Sequence, residues 1–214
     1  MHGDASAGTG EHTKQTQICH QRKYFEGTYA ARVRFTDEPL TGPGGDQLVE
    51  SFYTISPLKA PMDADYSELD FEYLPNGGWG VAGSTLYETT WETFSPEPNW
   101  KKDNIFNMTK GTRAGWHTLV TQVADGKVKY FVDGKQQAEH GERFYPESLM
   151  SINFNLWFIK DGAAKAHGAR PPSATKRATA HRTITNNVVE LLTALIASLL
   201  KWNSLPYQVA RPVE

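Results

Sequence analysis

Cysteine is nearly absent from this chain, since Cys19 is the only one among 214 residues. A single thiol excludes an intrachain disulfide framework and says little about the compartment. An excess of charge is also missing, because 22 Lys and Arg nearly balance 24 Asp and Glu. The composition therefore lacks the basic patch that indicates a nucleic-acid partner and the acidic block that forms a solvating tail.

Long hydrophobic runs are missing as well. Residues 1–16 are rich in Gly, Ser, Thr, His and charge, without the apolar stretch of a secretory signal peptide. The most apolar segment, 188–200, contains Glu190 and is shorter than the roughly 20 apolar residues that a membrane helix requires. We therefore expect no membrane partner and a disordered N-terminal segment over 1–16.

Alternation of apolar and polar residues dominates the chain from 17 to 161. Gly27–Phe35, for example, alternates Arg32 and Arg34 with apolar residues. Further strands are predicted over 47–56, 66–73, 81–93, 116–123, 127–132, 135–139 and 149–158. Asp-Gly pairs at 125–126 and 133–134 predict hairpin turns. Many short strands without helices between them predict an all-β fold, an antiparallel β-sandwich over 17–161.

The composition changes after Asp161. Residues 162–186 are Ala, Lys, Arg, His and Thr with a Pro pair, which predicts a linker. Residues 187–202 place Leu and Ile at helical spacing on nearly every face, which predicts an apolar helix before a tail over 203–214. Such a surface must pack on the domain or on another chain, or it remains an aggregation hazard. We expect a monomer, with pairing through this helix as the alternative.

Three carboxylates occupy alternate positions of the predicted strand 66–73, at Glu68, Asp70 and Glu72. On a β-strand they share one face, where like charges repel one another. Paired carboxylates with different pKa values are the groups that hydrolyse glycosidic bonds. A solvated acidic strand face is the alternative that the triplet alone leaves open.

The segment Glu68-Leu-Asp-Phe-Glu72 resembles the signature of family 16 glycoside hydrolases, the laminarinase and lichenase group of the concanavalin A-like jelly-roll superfamily. Three further segments are similar to strands of that family, in the same order: 27–35, 116–134 and Asn153-Phe-Asn-Leu-Trp157. The resemblance covers about 19–158 and implies a jelly roll, to which the C-terminal linker and helix are appended. Because the family usually has further strands at both ends, we expect this chain to be truncated or altered there.

The resemblance implies roles for the three acids. Glu68 corresponds to the nucleophile, and Asp70 to the acid that supports it through a shared proton or hydrogen bond. Glu72 corresponds to the acid/base, and repulsion between the acids would raise its pKa. The implied reaction is retaining endo-hydrolysis of a β-linked polysaccharide, a β-glucan or a galactan. Residues four apart on an ideal strand lie roughly 13 Å apart at Cα, whereas retaining enzymes need carboxyl groups about 5–5.5 Å apart. We therefore expect a bent strand or converging side chains.

Asn155 and Trp157 match family positions that line the sugar site, as a hydroxyl partner and a stacking platform. A core position is the alternative for Trp157, although its phase opposes that of Phe154 and the other apolar residues of its strand. Trp79 and Trp91 follow the acidic strand in or near loops, where they are either platforms in a substrate cleft or structural plugs.

No spacing of histidines or cysteines is typical of a metal site, so we predict no cofactor. A structural calcium ion is common in such sandwiches, but no ligand cluster in the sequence identifies one. The resemblance implies an extracellular location, for which the chain shows no signal peptide. Two alternatives stay open: a carbohydrate-binding sandwich without turnover, and an inactive truncated fragment. A transglycosylase would share the nucleophile and differ only in its acceptor.

Overall fold

The computed structural model describes residues 1–6, 12–42, 44–159 and 182–183, and these form antiparallel strands with almost no helix. The strands are β1 (His2–Gly3), β2 (Thr16–Cys19), β3 (Gly27–Phe35), β4 (Leu48–Ile55), β5 (Glu68–Leu74), β6 (Thr85–Ser95), β7 (Lys101–Lys110), β8 (Gly115–Ala124), β9 (Lys127–Val132), β10 (Lys135–Gly141), β11 (Ser151–Phe158) and β12 (Arg182–Thr183). A short 3-10 turn, Glu142–Phe144, follows β10. The predicted all-β sandwich is confirmed.

Two main sheets make up the sandwich. One has four strands in the order β10-β9-β8-β3, and the other has six in the order β2-β11-β4-β5-β6-β7. The short strands β1 and β12 pair with each other. The acidic strand β5 is thus a central strand of the larger sheet, with hydrogen-bonded neighbours on both sides.

The core forms where the apolar faces of the two sheets meet. Alternate residues of β3 are buried, and so are Leu69, Phe71 and Tyr73 of β5, at 0–1% exposure. These side chains belong to one hydrophobic cluster. Complete burial of a side chain of this size contributes roughly 1.5–3 kcal/mol. Because strand side chains alternate, the packing of Phe71 in the core obliges the three acids to point the other way.

The two Asp-Gly turns adopt the predicted hairpin geometry. Asp125 and Gly126 have φ values of 54° and 71°, and Asp133 and Gly134 have 52° and 78°. Two consecutive residues with positive φ are typical of a type I′ turn, whose twist matches that of the strands it joins. These turns set the register of β8, β9 and β10.

Three described segments have structure that the sequence analysis did not predict. Ala5, within the segment 1–16 that we expected to be disordered, is fully buried in a cluster with Leu48, Leu156 and Phe158. β12 lies within the predicted linker 162–186, and β7 is a strand that the sequence did not predict. The helix predicted over 187–202 and the tail over 203–214 lie outside the described residues. The domain boundaries stay predictions, and no helix in the described part of the chain is long and apolar enough to span a membrane.

Candidate active site

One face of the six-stranded sheet points away from the core and is called here the outer face. On this face, each of the three acids belongs to a row of residues that are paired across neighbouring strands. The row of Glu68 contains Ser151, Ile55, Glu68, Trp91 and Asn104. The row of Asp70 contains Cys19, Asn153, Tyr53, Asp70, Thr89 and Phe106. The row of Glu72 contains Gln17, Asn155, Ser51, Glu72, Tyr87 and Met108. The acids are therefore flanked by hydroxyl, amide and aromatic groups.

Burial dominates the electrostatics of the three acids. Asp70 is 4% exposed, and Glu68 and Glu72 are partly buried. Burial raises the pKa of Glu68 to about 7, and burial together with the charge of Glu68 raises the pKa of Glu72 to about 8. Burial, then the charges of Glu68 and Glu72, hold the pKa of Asp70 well above its usual range. The repulsion predicted to raise the pKa of Glu72 contributes, but loss of solvent is the larger cause.

Two neighbouring side chains donate hydrogen bonds to the acids. The hydroxyl of Tyr66 donates to Oε2 of Glu68 at 2.5 Å, and the indole N–H of Trp91 donates to Oδ2 of Asp70 at 2.8 Å. The structure shows no hydrogen bond between Asp70 and Glu68 among the residues it describes, so the predicted bond between these two acids is replaced by bonds to Tyr66 and Trp91. Within the same residues, none of the three acids forms an ion pair with a basic side chain. The donors to Glu68 and Asp70 are neutral, so they leave the negative charge of an ionised carboxylate uncompensated.

A group of amide and hydroxyl side chains lies on the β11 side of the acids. Ser51 donates its hydroxyl to Oδ1 of Asn155, and the side-chain amide of Gln17 donates to the hydroxyl of Tyr53 at 2.8 Å. A cavity of about 310 Å³ opens beside them, lined by Gln15, Thr16, Gln17, Asn155, Leu156 and Trp157. Amides both donate and accept hydrogen bonds, so this lining suits the hydroxyl groups of a sugar.

The predicted substrate-binding tryptophans fall into two places. Trp79 lies in the loop after β5, with φ 50°, and its ring approaches those of Trp157 and Tyr87 at centroid distances of 6.1 and 5.5 Å. Trp91 lies apart from them and is hydrogen-bonded to Asp70. Its ring meets that of Trp100 edge-on at a centroid distance of 6.4 Å. The structure therefore brings Trp79 and Trp157 together near Asn155 and places Trp91 beside the acids.

Sequence reasoning missed Tyr66, Tyr87 and Gln17 as candidates for the site. Tyr66 has the same parity as the three acids, so strand alternation was a usable signal for its position. The other two are brought to the acids by strand pairing, which alternation within one segment does not reveal.

Among the described residues, no three His, Cys, Asp or Glu side chains are placed to hold a metal ion together. A structural calcium ion stays an expectation from the family resemblance.

Comparison with known proteins gives a result for structure only. No sequence profile of a known family matches the chain, and no curated protein matches it. A κ-carrageenase from Zobellia galactanivorans has a similar structure, with a TM-score of 0.56 and 15% sequence identity over 75% of this chain and 63% of that one. A non-specific endo-β-1,3(4)-glucanase of glycoside hydrolase family 16 gives a TM-score of 0.54 and 13% identity over 76% of this chain and 62% of that one. Porphyranase B from Zobellia galactanivorans gives a TM-score of 0.52 and 16% identity over 77% of this chain and 63% of that one.

The chain has the jelly-roll fold found in family 16 glycoside hydrolases, and the fold implied by the resemblance of its signature segment is confirmed. At 13–16% identity the likeness concerns the fold. The chain spans less than two thirds of the length of each of these three enzymes.

Proposed function

We propose that the protein is a retaining endo-glycosidase that hydrolyses a β-linked polysaccharide, a β-glucan or a galactan. The observation that carries the proposal is the set of three acids along β5, Glu68, Asp70 and Glu72, called here the acid row. These acids are buried enough to bind protons near neutral pH. Such a hydrolase needs one ionised and one protonated carboxyl group at the same pH. Three repelling acids along one strand are a cost that a sugar-binding protein has no reason to bear.

In the proposed reaction, the carboxylate of Glu68 attacks the anomeric carbon while Glu72 gives its proton to the leaving glycosidic oxygen. The bond from that carbon to the leaving oxygen breaks as the bond to Glu68 forms, which yields a glycosyl ester. Glu72, now ionised, takes a proton from water as the water oxygen attacks the same carbon and Glu68 departs as a carboxylate. Two inversions retain the configuration at the anomeric carbon. Asp70 supports Glu68 from the next position on the same face.

We assign sugar binding to Asn155, Trp157, Trp79 and Trp91. The amide of Asn155 suits a sugar hydroxyl, and the rings of Trp79 and Trp157 offer an apolar surface for the faces of sugar rings. Trp91 lies in the row of Glu68, where a sugar undergoing cleavage would lie. The three similar enzymes are named for polysaccharide substrates, which agrees with this assignment. The proposal includes action outside the cell and a monomeric protein.

The proposal is tested by reducing-sugar release from a panel of β-glucans and galactans by wild type, Glu68→Gln and Glu72→Gln. We expect activity in the wild type and its loss in both variants, while the exposed Glu97→Gln control keeps it. Azide added to alanine variants separates the roles, because it should form a glycosyl azide of inverted configuration with Glu68→Ala and of retained configuration with Glu72→Ala. A folded wild type that cleaves nothing on the panel would contradict the proposal.

One observation favours a second candidate, a carbohydrate-binding sandwich without turnover. The cavity lined by Gln17, Asn155 and Trp157 lies two strands away from β5, so its residues can hold a glycan without the acids. Binding of an oligosaccharide by the wild type, with no product and equal affinity in Glu68→Gln, would favour this candidate.

A further inference from the structure

Tyr66 is fixed at the edge of the acid row before β5 begins. It is 2% exposed, its backbone N–H donates to the carbonyl of Asp63 at 3.3 Å, and its ring meets Phe94 edge-on at 5.3 Å. The next residue, Ser67, donates its backbone N–H to the hydroxyl of Ser56 at 2.8 Å. The backbone and ring of Tyr66 are therefore constrained, and its hydroxyl is preorganised toward Glu68.

Among the described residues, the hydrogen bond from Tyr66 distinguishes Glu68 from Glu72. Tyr66 donates to Oε2 of Glu68, while Glu72 receives no hydrogen bond among the described residues. Burial and the charge of Glu68 hold the pKa of Tyr66 above its usual range, so its hydroxyl remains a donor throughout the working pH range. A donor bonded to a carboxylate favours the ionised form of that carboxylate.

We propose that Tyr66 is a positioning residue that holds Glu68 as the ionised nucleophile and leaves the proton of the site on Glu72. The inference rests on the proposed function and adds a residue that determines which glutamate takes which role. Because Oε2 is occupied by Tyr66, Oε1 of Glu68 is the oxygen left to attack the anomeric carbon.

The other titratable groups around Glu68 do not provide this asymmetry. Asp70 and Glu72 lie on the same strand, and their negative charges disfavour ionisation of any neighbour. Tyr53 on β4 and Tyr130 on β9 are near enough to respond to the charge of Glu68, but they bond to other groups. The amide of Gln17 donates to Tyr53, and the hydroxyl of Tyr130 donates to the carbonyl of Thr89.

The test compares Tyr66→Phe with Tyr29→Phe. Tyr29 is a matched control, because it is 3% exposed and donates its hydroxyl at 2.5 Å, but to the backbone carbonyl of Phe25 rather than to a carboxylate. We expect the acid limb of the pH profile of kcat/KM to move to higher pH by about one unit in Tyr66→Phe. The pKa of Glu68 should rise because its carboxylate loses a hydrogen bond. The profile of Tyr29→Phe should keep the wild-type limb even if the variant is less stable.

A second measurement keeps the test decisive if Tyr66→Phe folds poorly. Site-specific 3-fluorotyrosine at position 66 preserves the shape of the ring and makes the hydroxyl a stronger donor, so the acid limb should move to lower pH. NMR titration of glutamate labelled at the carboxyl carbon, with Glu68 assigned by its loss in Glu68→Gln, should shift in the same directions without any turnover.

The outcomes separate the two proposals. An active wild type whose acid limb and Glu68 titration stay unchanged in Tyr66→Phe would overturn the role of Tyr66 and leave the hydrolase proposal standing. An inactive wild type would overturn the hydrolase proposal and the catalytic part of this inference together.

Discussion

Trp91 donates its indole N–H to Oδ2 of Asp70 at 2.8 Å, although the residue paired with Trp91 across the sheet is Glu68. The indole therefore reaches diagonally to the next acid along β5. Asp70 is buried between two like charges, both of which disfavour its ionised form. The indole N–H opposes them, so Trp91 orients the middle acid in addition to presenting a ring beside the site.

Replacement of Trp91 by Phe should separate these two roles, because Phe retains an aromatic ring and loses the N–H. A hydrogen bond to a charged group contributes about 1.5–3 kcal/mol, so kcat should fall roughly 10- to 150-fold with a smaller change in KM. The measurement is steady-state hydrolysis of the preferred glycan. Trp116→Phe is the control, since Trp116 is 46% exposed and lies on β8 in the other sheet. An unchanged kcat in Trp91→Phe would contradict the orienting role.

Glu88 provides a pH-dependent contribution to stability that is independent of the site. It lies on the core side of β6, fully buried, and accepts a 2.8 Å hydrogen bond from the amide of Asn107. Burial raises its pKa from 4.5 to about 7. Between these pH values the folded protein binds a proton that the unfolded chain has lost. The contribution of Glu88 to stability is therefore complete below pH 4.5 and is lost as the pH rises through about 7.

Glu88→Gln should remove this pH dependence, because Gln is neutral at every pH and nearly isosteric with protonated Glu. We expect similar unfolding free energies for variant and wild type near pH 5, and a gain on the order of 1–3 kcal/mol for the variant near pH 8. Denaturant unfolding at both pH values measures the difference. The exposed Glu97→Gln should show no such change. Equal stability of Glu88→Gln and wild type at pH 8 would contradict the prediction.

Alternation made part of the fold predictable from sequence. Gly27–Phe35 was predicted with the bounds that β3 has, because one face of the strand is in the core and the other is solvated. β7 was missed because it is an edge strand, in which Ile105, Phe106 and Met108 are all at least 37% exposed and break the alternation.

The acid row was predictable for the same reason, whereas its surroundings were not. Glu68, Asp70 and Glu72 share a face by parity alone. The bond from Trp91 to Asp70 depends on the register of β5 and β6 and on a diagonal reach, and neither can be derived from the spacing of the residues in the chain.

Trp79 and Trp157 should act together in substrate binding, since their rings are neighbours at a centroid distance of 6.1 Å. We expect Trp79→Ala and Trp157→Ala each to raise KM about two- to tenfold, as loss of an aromatic contact of about 0.5–1.5 kcal/mol implies, with little effect on kcat. The double variant should cost less than the sum of the two in free energy, because one platform is lost. Trp116→Ala serves as the exposed control on the other sheet. Additive effects would indicate two separate subsites.

The charge of the outer face should determine which polysaccharides are cleaved. In the three rows that cross the acids, Glu68, Asp70 and Glu72 are the acidic side chains, and no Lys or Arg lies among the described members of those rows. A sulfated or carboxylated glycan would meet the uncompensated carboxylate of the ionised Glu68 there, so we expect neutral glycans to be hydrolysed at least about tenfold faster in kcat/KM. A β-glucan and its chemically sulfated derivative form a matched pair of substrates for reducing-sugar release. Added salt should narrow the difference by screening. Met108→Lys adds a cation in the row of Glu72 and should also narrow the difference in kcat/KM between the two glycans. Faster cleavage of the sulfated glycan by the wild type would contradict the prediction.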